Sequence, residues 1–369
     1  MKINLSKATF SSIVGIGQKV ARAEKETGQK YLPLNRGVNA VCQIDLSKIM
    51  PMIDYQSKDF QVYAPNLGVE SLRQSILKEY FPSQTDLSKL AITPGGMPAL
   101  DLIIQTLNVE TILFPKFYWG SYSKMATIRN KSFSFYDDLD SIDISKLNDS
   151  TCIFICDPNN PTGTKLEDDY LLSKLQEINN SGAVTIFDCP YRRLFKDQLP
   201  MRMFDQVSQL ENVIIAESFS KWIGLSGLRI GFIWCNNKAF NEELNIRLLY
   251  EFNGISTASQ LIVDKILSTE EGKQAQRDFR RTTVEHIQKN IQYLKDNNLL
   301  VEEIYQGRTP WGIFAIINKS EDYLFNHQIG AVGLDKFVYH DKDKWSDYSR
   351  ICVSVNSDLF SKFLNQILD

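Results

Sequence analysis

The chain has 369 residues, of which 43% are hydrophobic and 23% are charged, an ordinary composition for a globular protein. Its 41 basic and 44 acidic residues give a formal net charge of −3, so no basic surplus points to nucleic acid as a partner. No run of about 18 apolar residues predicts a transmembrane helix, and the N-terminal stretch lacks the apolar core of a secretory signal. We therefore expect a cytoplasmic protein that binds neither nucleic acid nor membrane.

The cysteine and histidine patterns do not predict a metal site. Most of the six cysteines lie in apolar runs such as TCIFIC, without paired CxxC spacing. The three histidines, His286, His327 and His340, are far apart in the sequence, which argues against a histidine-based zinc site and a Ser-His-Asp triad. We expect buried reduced thiols and no metal.

Apolar strand-like runs alternate with helical patterns through the middle of the chain. The predicted strands cover 91–93, 111–114, 132–136, 151–156, 183–188, 212–218 and 228–235. Between them, the segments 68–80 and 166–182 place apolar residues on one helical face. Apolar strands that alternate with helices predict an α/β fold with a mostly parallel sheet covered on both faces.

The pattern changes after about residue 255. A long helical stretch covers 258–296 with a break near Ser268, and short strands at 311–317 and 349–355 precede a final helix. Strands beside helices here predict a second, smaller α+β domain. We predict a large domain over 45–255 and a small domain that combines 1–44 with 256–369.

Polar residues follow the predicted strands at their carboxyl ends, where open parallel sheets bind ligands. The first group could hold a phosphate: backbone N–H groups at Gly95–Met97 open a predicted helix, whose first position suits Pro98. Hydroxyls of Ser218 and Ser220 and the guanidinium of Arg229 would complete such an anion site. Taken alone, the glycine turn also fits a plain strand-to-helix connection.

The remaining strand ends carry groups that suit an aromatic aldehyde. A protonated pyridine nitrogen needs a buried carboxylate, which Asp188 supplies, and a ring oxygen needs neutral partners such as Asn160 and Tyr191. Lys221, placed after an apolar strand, supplies a desolvated amine for the aldehyde. Asn160 alone could be a structural turn residue, but together these groups predict pyridoxal 5'-phosphate as the cofactor.

The motifs NNPTG, DCPY and SFSKWIGLSGLRIGF resemble those of the fold-type I pyridoxal-phosphate enzymes of the aspartate aminotransferase class, the class I/II aminotransferases. The resemblance covers nearly the whole chain. It implies a large domain with a mostly parallel sheet sandwiched by helices, plus a smaller α+β domain. It also implies that Lys221 binds the cofactor covalently and later moves the Cα proton, with Asp188 at the ring nitrogen and Tyr191 at the ring oxygen.

Weaker matches to the same family imply further site residues. Tyr63 in YAPNLGVESLR would reach the phosphate in a neighbouring subunit, which implies a homodimer with shared active sites. Ser256 or Thr257 would add a hydroxyl to the partner's site. Gly37 in LNRGV and Arg350 in SRICVSV would bind the substrate α-carboxylate, together with Asn160.

Two departures from the family pattern affect the site. The aromatic residue that stacks on the ring usually follows a proline by two, which fits Phe117, yet Trp119 keeps the aromatic-x-x-Tyr spacing to Tyr122. We favour Trp119. The usual proline-glycine before the C-terminal phenylalanine is replaced by VGLDKF, so substrate specificity transfers poorly.

The predicted activity is transfer of the amino group of an α-amino acid to a 2-oxo acid. Decarboxylation, carbon–sulfur elimination or cyclisation on the same fold stays open, because the angle of the broken bond to the ring is not visible in sequence. A non-catalytic regulator on this fold is the alternative from another class. If the substrate is a dicarboxylate, Arg36 is the candidate second cation, with Lys124 and Arg192 as weaker candidates and a solvated Arg36 as the alternative.

Overall fold

A computed structural model describes residues 1–195 and 202–368 of the chain. The strands in this part are β1 (Leu32–Pro33), β2 (Leu90–Thr93), β3 (Thr111–Pro115), β4 (Ser132–Tyr136), β5 (Thr151–Cys156), β6 (Val184–Asp188), β7 (Val213–Ser218), β8 (Gly231–Cys235), β9 (Phe314–Ile317), β10 (Ile329–Gly330), β11 (Val332–Gly333) and β12 (Ser349–Cys352). The helices in this part are α1 (Ser12–Thr27), α2 (Glu70–Tyr80), α3 (Gly96–Thr106), α4 (Ser121–Ile128), α5 (Asp168–Asn180), α6 (Arg202–Val207), α7 (Phe219–Trp222), α8 (Lys238–Phe252), α9 (Thr257–Ser268), α10 (Glu270–Asp296), α11 (Glu302–Tyr305), α12 (Glu321–Asn326) and α13 (Ser357–Leu364). The strands form three sheets.

The central sheet has the order β2-β8-β7-β6-β5-β3-β4. Its neighbours pair in parallel, except that β8 is antiparallel to both β2 and β7. Strands β5, β6 and β7 are buried almost throughout, as expected for parallel strands that helices cover on both faces. The predicted α/β fold with a mostly parallel sheet is confirmed.

The helices cover this sheet with the faces that the sequence pattern predicts. Helix α5 buries Leu171, Leu175 and Ile178, which recur at the three- and four-residue spacing of one helical face. Helix α3 is apolar over most of its length and packs between the sheet and α8. The start of α3 at Gly96 therefore lies close to the end of β2 at Thr93, beside the site described below.

The C-terminal part of the chain contains the second architecture. Strands β11, β12 and β9 form an antiparallel sheet beside the long helix α10. Helices α9 and α10 are separated at Thr269, whose side chain accepts a hydrogen bond from the Gly272 N–H at 3.1 Å and so starts the new helix. The smaller α+β unit and the helix break near Ser268 are therefore present.

Two local expectations are wrong. Helix α3 begins at Gly96 rather than at Pro98; a proline is tolerated in the first turn because the N–H groups there have no intrahelical partner. Arg229 does not start a strand, because its φ of 54° is left-handed and β8 begins only at Gly231.

Helices α1, α4 and α8 are not among the elements predicted from the sequence. Helix α8 shows why: it buries Phe240 and Leu244 on one side while Ile246 and Tyr250 are exposed on another. Apolar residues on two sides remove the amphipathic period that a helix prediction relies on. No helix within the described residues is both long enough and apolar enough to cross a membrane.

Candidate active site

The direction of the strands brings the predicted site residues to one edge of the central sheet. Strands β2, β5, β6 and β7 run the same way, so the residues that follow them lie along one edge. Asn160, Asp188 and Lys221 come from three of these ends. Because β8 runs in the opposite direction, its amino end lies at the same edge and brings Arg229 there.

A cavity of about 340 Å³ opens at this edge. The predicted site residues that line it are Arg36, Gly37, Gly96, Met97, Trp119, Asn160, Asp188, Tyr191, Ser218, Ser220, Lys221, Arg229 and Arg350. Gly95 lies next to it, against Arg229. Tyr63 does not line it and is 80% exposed, so its predicted contact with a neighbouring subunit stays a prediction.

One end of the cavity is built for an anion. Gly95 has a φ of 101°, and a side chain there would collide with the Arg229 guanidinium. Arg229 donates to the Ser220 hydroxyl at 3.4 Å and to the Ser226 carbonyl at 3.0 Å, and the Ser220 N–H donates to the Ser218 hydroxyl at 3.3 Å. With the start of α3 beside them, these groups present donors and positive charge to one place.

Asp188, the last residue of β6, places a carboxyl group deep in the cavity. The hydroxyl of Tyr122 donates a hydrogen bond to it. Burial raises the pKa of Asp188 to about 7, while the Tyr122 hydrogen bond and the positive charge of Lys221 act in the opposite direction. None of the described residues forms an ion pair with Asp188, so the charge of this carboxyl group has no direct cationic partner among them.

Lys221 lies in the short helix α7, directly after β7. Its amine donates a hydrogen bond to the Gly37 carbonyl. Burial lowers the pKa of Lys221 to about 8; the positive charges of Arg350 and Arg229 lower it further, whereas Cys352 and Asp188 act to raise it. An appreciable share of the amine is therefore neutral near neutral pH, as a nucleophilic lysine requires.

Arg350 on β12 also lines the cavity and is almost fully buried. It donates to the Asn160 side-chain oxygen at 3.1 Å and to the Asn35 carbonyl, and its guanidinium packs over the Phe314 ring at 4.3 Å. Burial lowers its pKa to about 10, so it remains charged at neutral pH. Asn160 also donates to the Tyr191 hydroxyl at 3.4 Å, so Arg350, Asn160 and Tyr191 form one hydrogen-bonded chain.

The two aromatic candidates for ring stacking are separated by the structure. Trp119 lines the cavity, and its ring meets Tyr122 edge-on at 5.5 Å. Phe117 lines a different cavity and packs edge-on against Trp345 at 4.9 Å. The placement supports Trp119 for the stacking role, which stays a prediction.

The candidates for a second cation differ in their surroundings. Arg36 lines the cavity, whereas the Lys124 amine donates to the Thr9 hydroxyl and lies outside the cavity lining. Arg192 is buried and pairs with Asp157 at 3.2 Å and with Asp168 at 2.5 Å. These contacts favour Arg36 over Lys124 and Arg192, and the role of Arg36 stays a prediction.

Sequence reasoning missed several residues that shape the site. The sequence marks Tyr122 only by its three-residue spacing to Trp119. That spacing gives no sign of the hydrogen bond from Tyr122 to Asp188. Ile13 and Val14 of α1 and Phe314 of β9 also line the cavity. No sequence signal marked these apolar residues, because distant segments bring them to the site.

Ser256 has a structural role in its own chain. Its hydroxyl accepts a hydrogen bond from the Ser259 N–H at 3.3 Å and caps α9, which begins at Thr257. Neither Ser256 nor Thr257 lines the cavity of its own chain. Their predicted contribution to a partner's site stays a prediction.

The sequence resembles known aminotransferases. The family model of class I and II aminotransferases matches residues 31–322. The chain is 25% identical over 274 residues to the LL-diaminopimelate aminotransferase of Chlamydia pneumoniae, covering 66% of each protein. It is 26% identical over 202 residues to the histidinol-phosphate aminotransferase of Flavobacterium psychrophilum, covering 51% of this chain and 56% of that protein. The chain thus spans less than two-thirds of the length of these curated relatives.

The fold comparison covers the whole chain. The aspartate aminotransferase of Thermus thermophilus with maleate superposes with a TM-score of 0.83 at 15% sequence identity, covering 100% of this chain and 99% of that one. At this identity the likeness shows the fold alone. Since the family model matches well over half of the sequence, this chain belongs to the class I and II aminotransferases, a family of pyridoxal-phosphate-dependent enzymes.

Proposed function

We propose that this protein is an aminotransferase that moves the amino group of an α-amino acid to a 2-oxo acid, with pyridoxal phosphate bound to Lys221. The observation that carries the proposal is the pairing, in one cavity, of the Lys221 amine with the Asp188 carboxyl group, which has no ion-pair partner among the described residues. Burial moves the pKa values of both groups toward neutrality. Perturbed acid and base groups in a cleft are typical of catalytic sites.

The residues of the cavity fit the cofactor. A buried carboxyl group without a cation is costly, and a protonated ring nitrogen would supply the missing charge at Asp188. The donors of Ser218, Ser220 and Arg229, together with the start of α3, fit a phosphate dianion. Tyr191 and Asn160 fit the neutral partners of a ring oxygen.

When bound, pyridoxal phosphate supplies an aldehyde that bonds reversibly to amines and a protonated ring that stabilises negative charge at the substrate Cα. Lys221 Nζ, partly neutral because of its burial, would hold the aldehyde covalently and, once the substrate amine has displaced it, would accept the substrate Cα proton and return it. A positioned base of this kind contributes roughly 10²–10⁴-fold to rate. Arg350 and Asn160 bind the α-carboxylate and so fix the substrate relative to that amine.

The matched curated relatives carry aminotransferase names. No observation supports decarboxylation, carbon–sulfur elimination or cyclisation. Transamination is therefore the activity we propose for this site. We also propose the predicted division into a domain of residues 45–255 and a domain of residues 1–44 with 256–369, because each part has its own sheet. The cytoplasmic location stays a prediction.

We also propose that the chain forms a homodimer. Helix α8 exposes Ile246, Leu249 and Tyr250, the last at 84%. The loop that carries Tyr63 lies beside this helix, since the Asn66 amide donates to the Asn245 carbonyl at 2.5 Å. Adjacent exposed apolar side chains are typical of an interface, and a second copy would bring Tyr63 toward a neighbouring site as the family resemblance implies.

The position of Arg36 favours a substrate that carries a second negative charge. It lines the cavity beside the apolar Val14 and Val38, and its guanidinium lies against Gly17 of α1. Arg36 has no hydrogen-bond or ion-pair partner among the residues that the structure describes. We propose that it binds the side-chain carboxylate of a dicarboxylic amino acid.

Covalent attachment is tested by Lys221→Ala. After reduction with borohydride, the wild-type protein should retain the cofactor under denaturing conditions in mass spectrometry, and the variant should not, because the bonding amine is gone. Lys124→Ala is the matched control and should keep the link, since that amine lies outside the cavity lining. A wild-type protein that takes up no pyridoxal phosphate would contradict the proposed function.

The raised pKa of Asp188 predicts a pH-dependent stability of the cofactor-free protein. Between its ordinary pKa of 3.8 and about 7, the folded state holds a proton that the unfolded state has lost, so stability falls as pH rises. Relative to Asp188→Asn, wild-type stability in urea should fall by roughly 2–3 kcal/mol between about pH 5 and about pH 8. Tyr122→Phe removes a bond that favours the ionised form and should extend the fall to higher pH. Parallel curves for wild type and Asp188→Asn would refute this assignment.

The homodimer is tested by sedimentation velocity. The wild type should sediment as a dimer, and the double variant Ile246→Glu/Tyr250→Glu should shift toward monomer, because charges would be buried in the interface. Leu359→Glu, an exposed change on α13, should leave the dimer intact. A monomeric wild type would rule out shared active sites.

The role of Arg36 is tested by Arg36→Gln with two kinds of substrate. A charge-assisted contact of about 1.5–3 kcal/mol predicts a loss of roughly 10- to 150-fold in kcat/KM for glutamate or 2-oxoglutarate. The kcat/KM for alanine or phenylalanine should barely change. The control Arg22→Gln, an exposed change on α1, should leave kcat/KM unchanged for both substrate types. Equal losses on both substrate types, or none, would return Arg36 to a surface role.

A further inference from the structure

A buried polar cluster lies behind the turn that carries Lys221. Its members, Tyr80, Arg193, Glu217 and Trp222, are almost fully inaccessible to solvent. The Arg193 guanidinium lies between two rings, 4.5 Å from that of Tyr80 and 4.3 Å from that of Trp222. The cluster does not line the cofactor cavity, and the proposed mechanism does not use it.

The cluster touches both loops that hold the cofactor. Glu217 precedes Ser218 in β7 and accepts a hydrogen bond from the Ser218 N–H at 2.7 Å. Trp222 follows Lys221 directly. Arg193 lies shortly after Tyr191, in the loop that follows β6, so its stacking on Trp222 joins the loop of Asp188 to the turn of Lys221.

Helix α2 anchors the cluster from the other side. Arg193 forms an ion pair with Glu79 at the end of α2. The same helix supplies Tyr80, which stacks on Arg193. One guanidinium therefore ties α2 to both cofactor loops.

This arrangement is costly for folding. Arg193 Nε and Nη1, Glu217 Oε2 and the Trp222 indole nitrogen are buried without a hydrogen-bond partner among the described residues. Burial raises the pKa of Glu217 well above its usual range, although the Ser218 N–H and the Arg193 charge act against this. Unpartnered buried polar groups reduce stability, and local departures from good packing chemistry are expected at functional sites.

We propose that Arg193 and Glu217 are positioning residues that hold the turn of Ser218 and Lys221 in place for the cofactor. The inference rests on the proposed function, because it takes Ser218 and Lys221 as cofactor contacts. Arg193 fixes the turn through Trp222, and Glu217 fixes it through the Ser218 backbone. Neither residue touches the cofactor itself.

The test separates positioning from stability with the double variant Arg193→Met/Glu217→Leu. Each single change leaves polar groups buried without partners and should lower the stability of the cofactor-free protein in urea. The double change removes the ionisable groups of both residues but leaves Glu79 without its ion-pair partner, so it should recover only part of that stability. Its affinity for pyridoxal phosphate, measured by absorbance titration, should nevertheless fall at least tenfold.

A second readout is the pH titration of the bound cofactor's absorbance, which should shift in the double variant because the Lys221 amine is held less firmly. Ser75→Ala is the matched control for destabilisation alone. Ser75 donates to the buried Asp264 at 2.6 Å, between α2 and α9, so its loss should lower stability and leave cofactor affinity and titration unchanged.

The outcomes are distinct. Wild-type affinity and titration in a folded double variant would overturn the proposal, as would an affinity that merely follows stability across all variants and the control. If the double variant does not fold, Arg193→Lys gives the answer: it keeps the charge but loses the planar stacking group, so severalfold weaker binding is expected, and wild-type binding would refute the proposal. A wild-type protein that binds no pyridoxal phosphate would instead refute the proposed function.

Discussion

At one edge of the central sheet, the carboxyl ends of the six strands β2 to β7 lie in line with the start of the antiparallel strand β8. This alignment brings Gly95, Asn160, Asp188 and Lys221 together from distant parts of the chain, and the reversal of β8 adds Arg229. The apolar strands are held in register by helices on both faces. Each polar group at the edge therefore has a fixed place that depends on the packing of the sheet rather than on its own loop.

Burial at this edge acts on an acid and a base in opposite directions. It raises the pKa of Asp188 to about 7 and lowers that of Lys221 to about 8, because low polarity disfavours the charged form of each. The pKa values of both groups are thereby brought near neutrality. A cofactor with a positive ring and a reactive aldehyde would satisfy both groups at once.

The site is maintained at some cost to stability. Arg229 adopts a left-handed backbone with a φ of 54°, an uncommon conformation for a residue with a side chain. Within the part of the chain that the structure describes, the buried Arg350 Nε and several polar atoms of the Arg193 and Glu217 cluster have no hydrogen-bond partner. The large apolar core that surrounds them supplies the stability that such departures require.

The sequence by itself determined the alternation of strands and helices, the split between a parallel and a smaller α+β architecture, and the position of the candidate cofactor residues at the strand ends. These follow from local patterns: apolar runs, helical periodicity and polar residues directly after strands. Only the tertiary structure decided that Trp119 rather than Phe117 enters the cavity, that Tyr122 meets Asp188, and that Arg36 lies beside α1 while Arg192 is paired elsewhere. The physical reason is that these contacts join segments distant in the chain, and a local pattern carries no information about which distant side chain fills the space beside it.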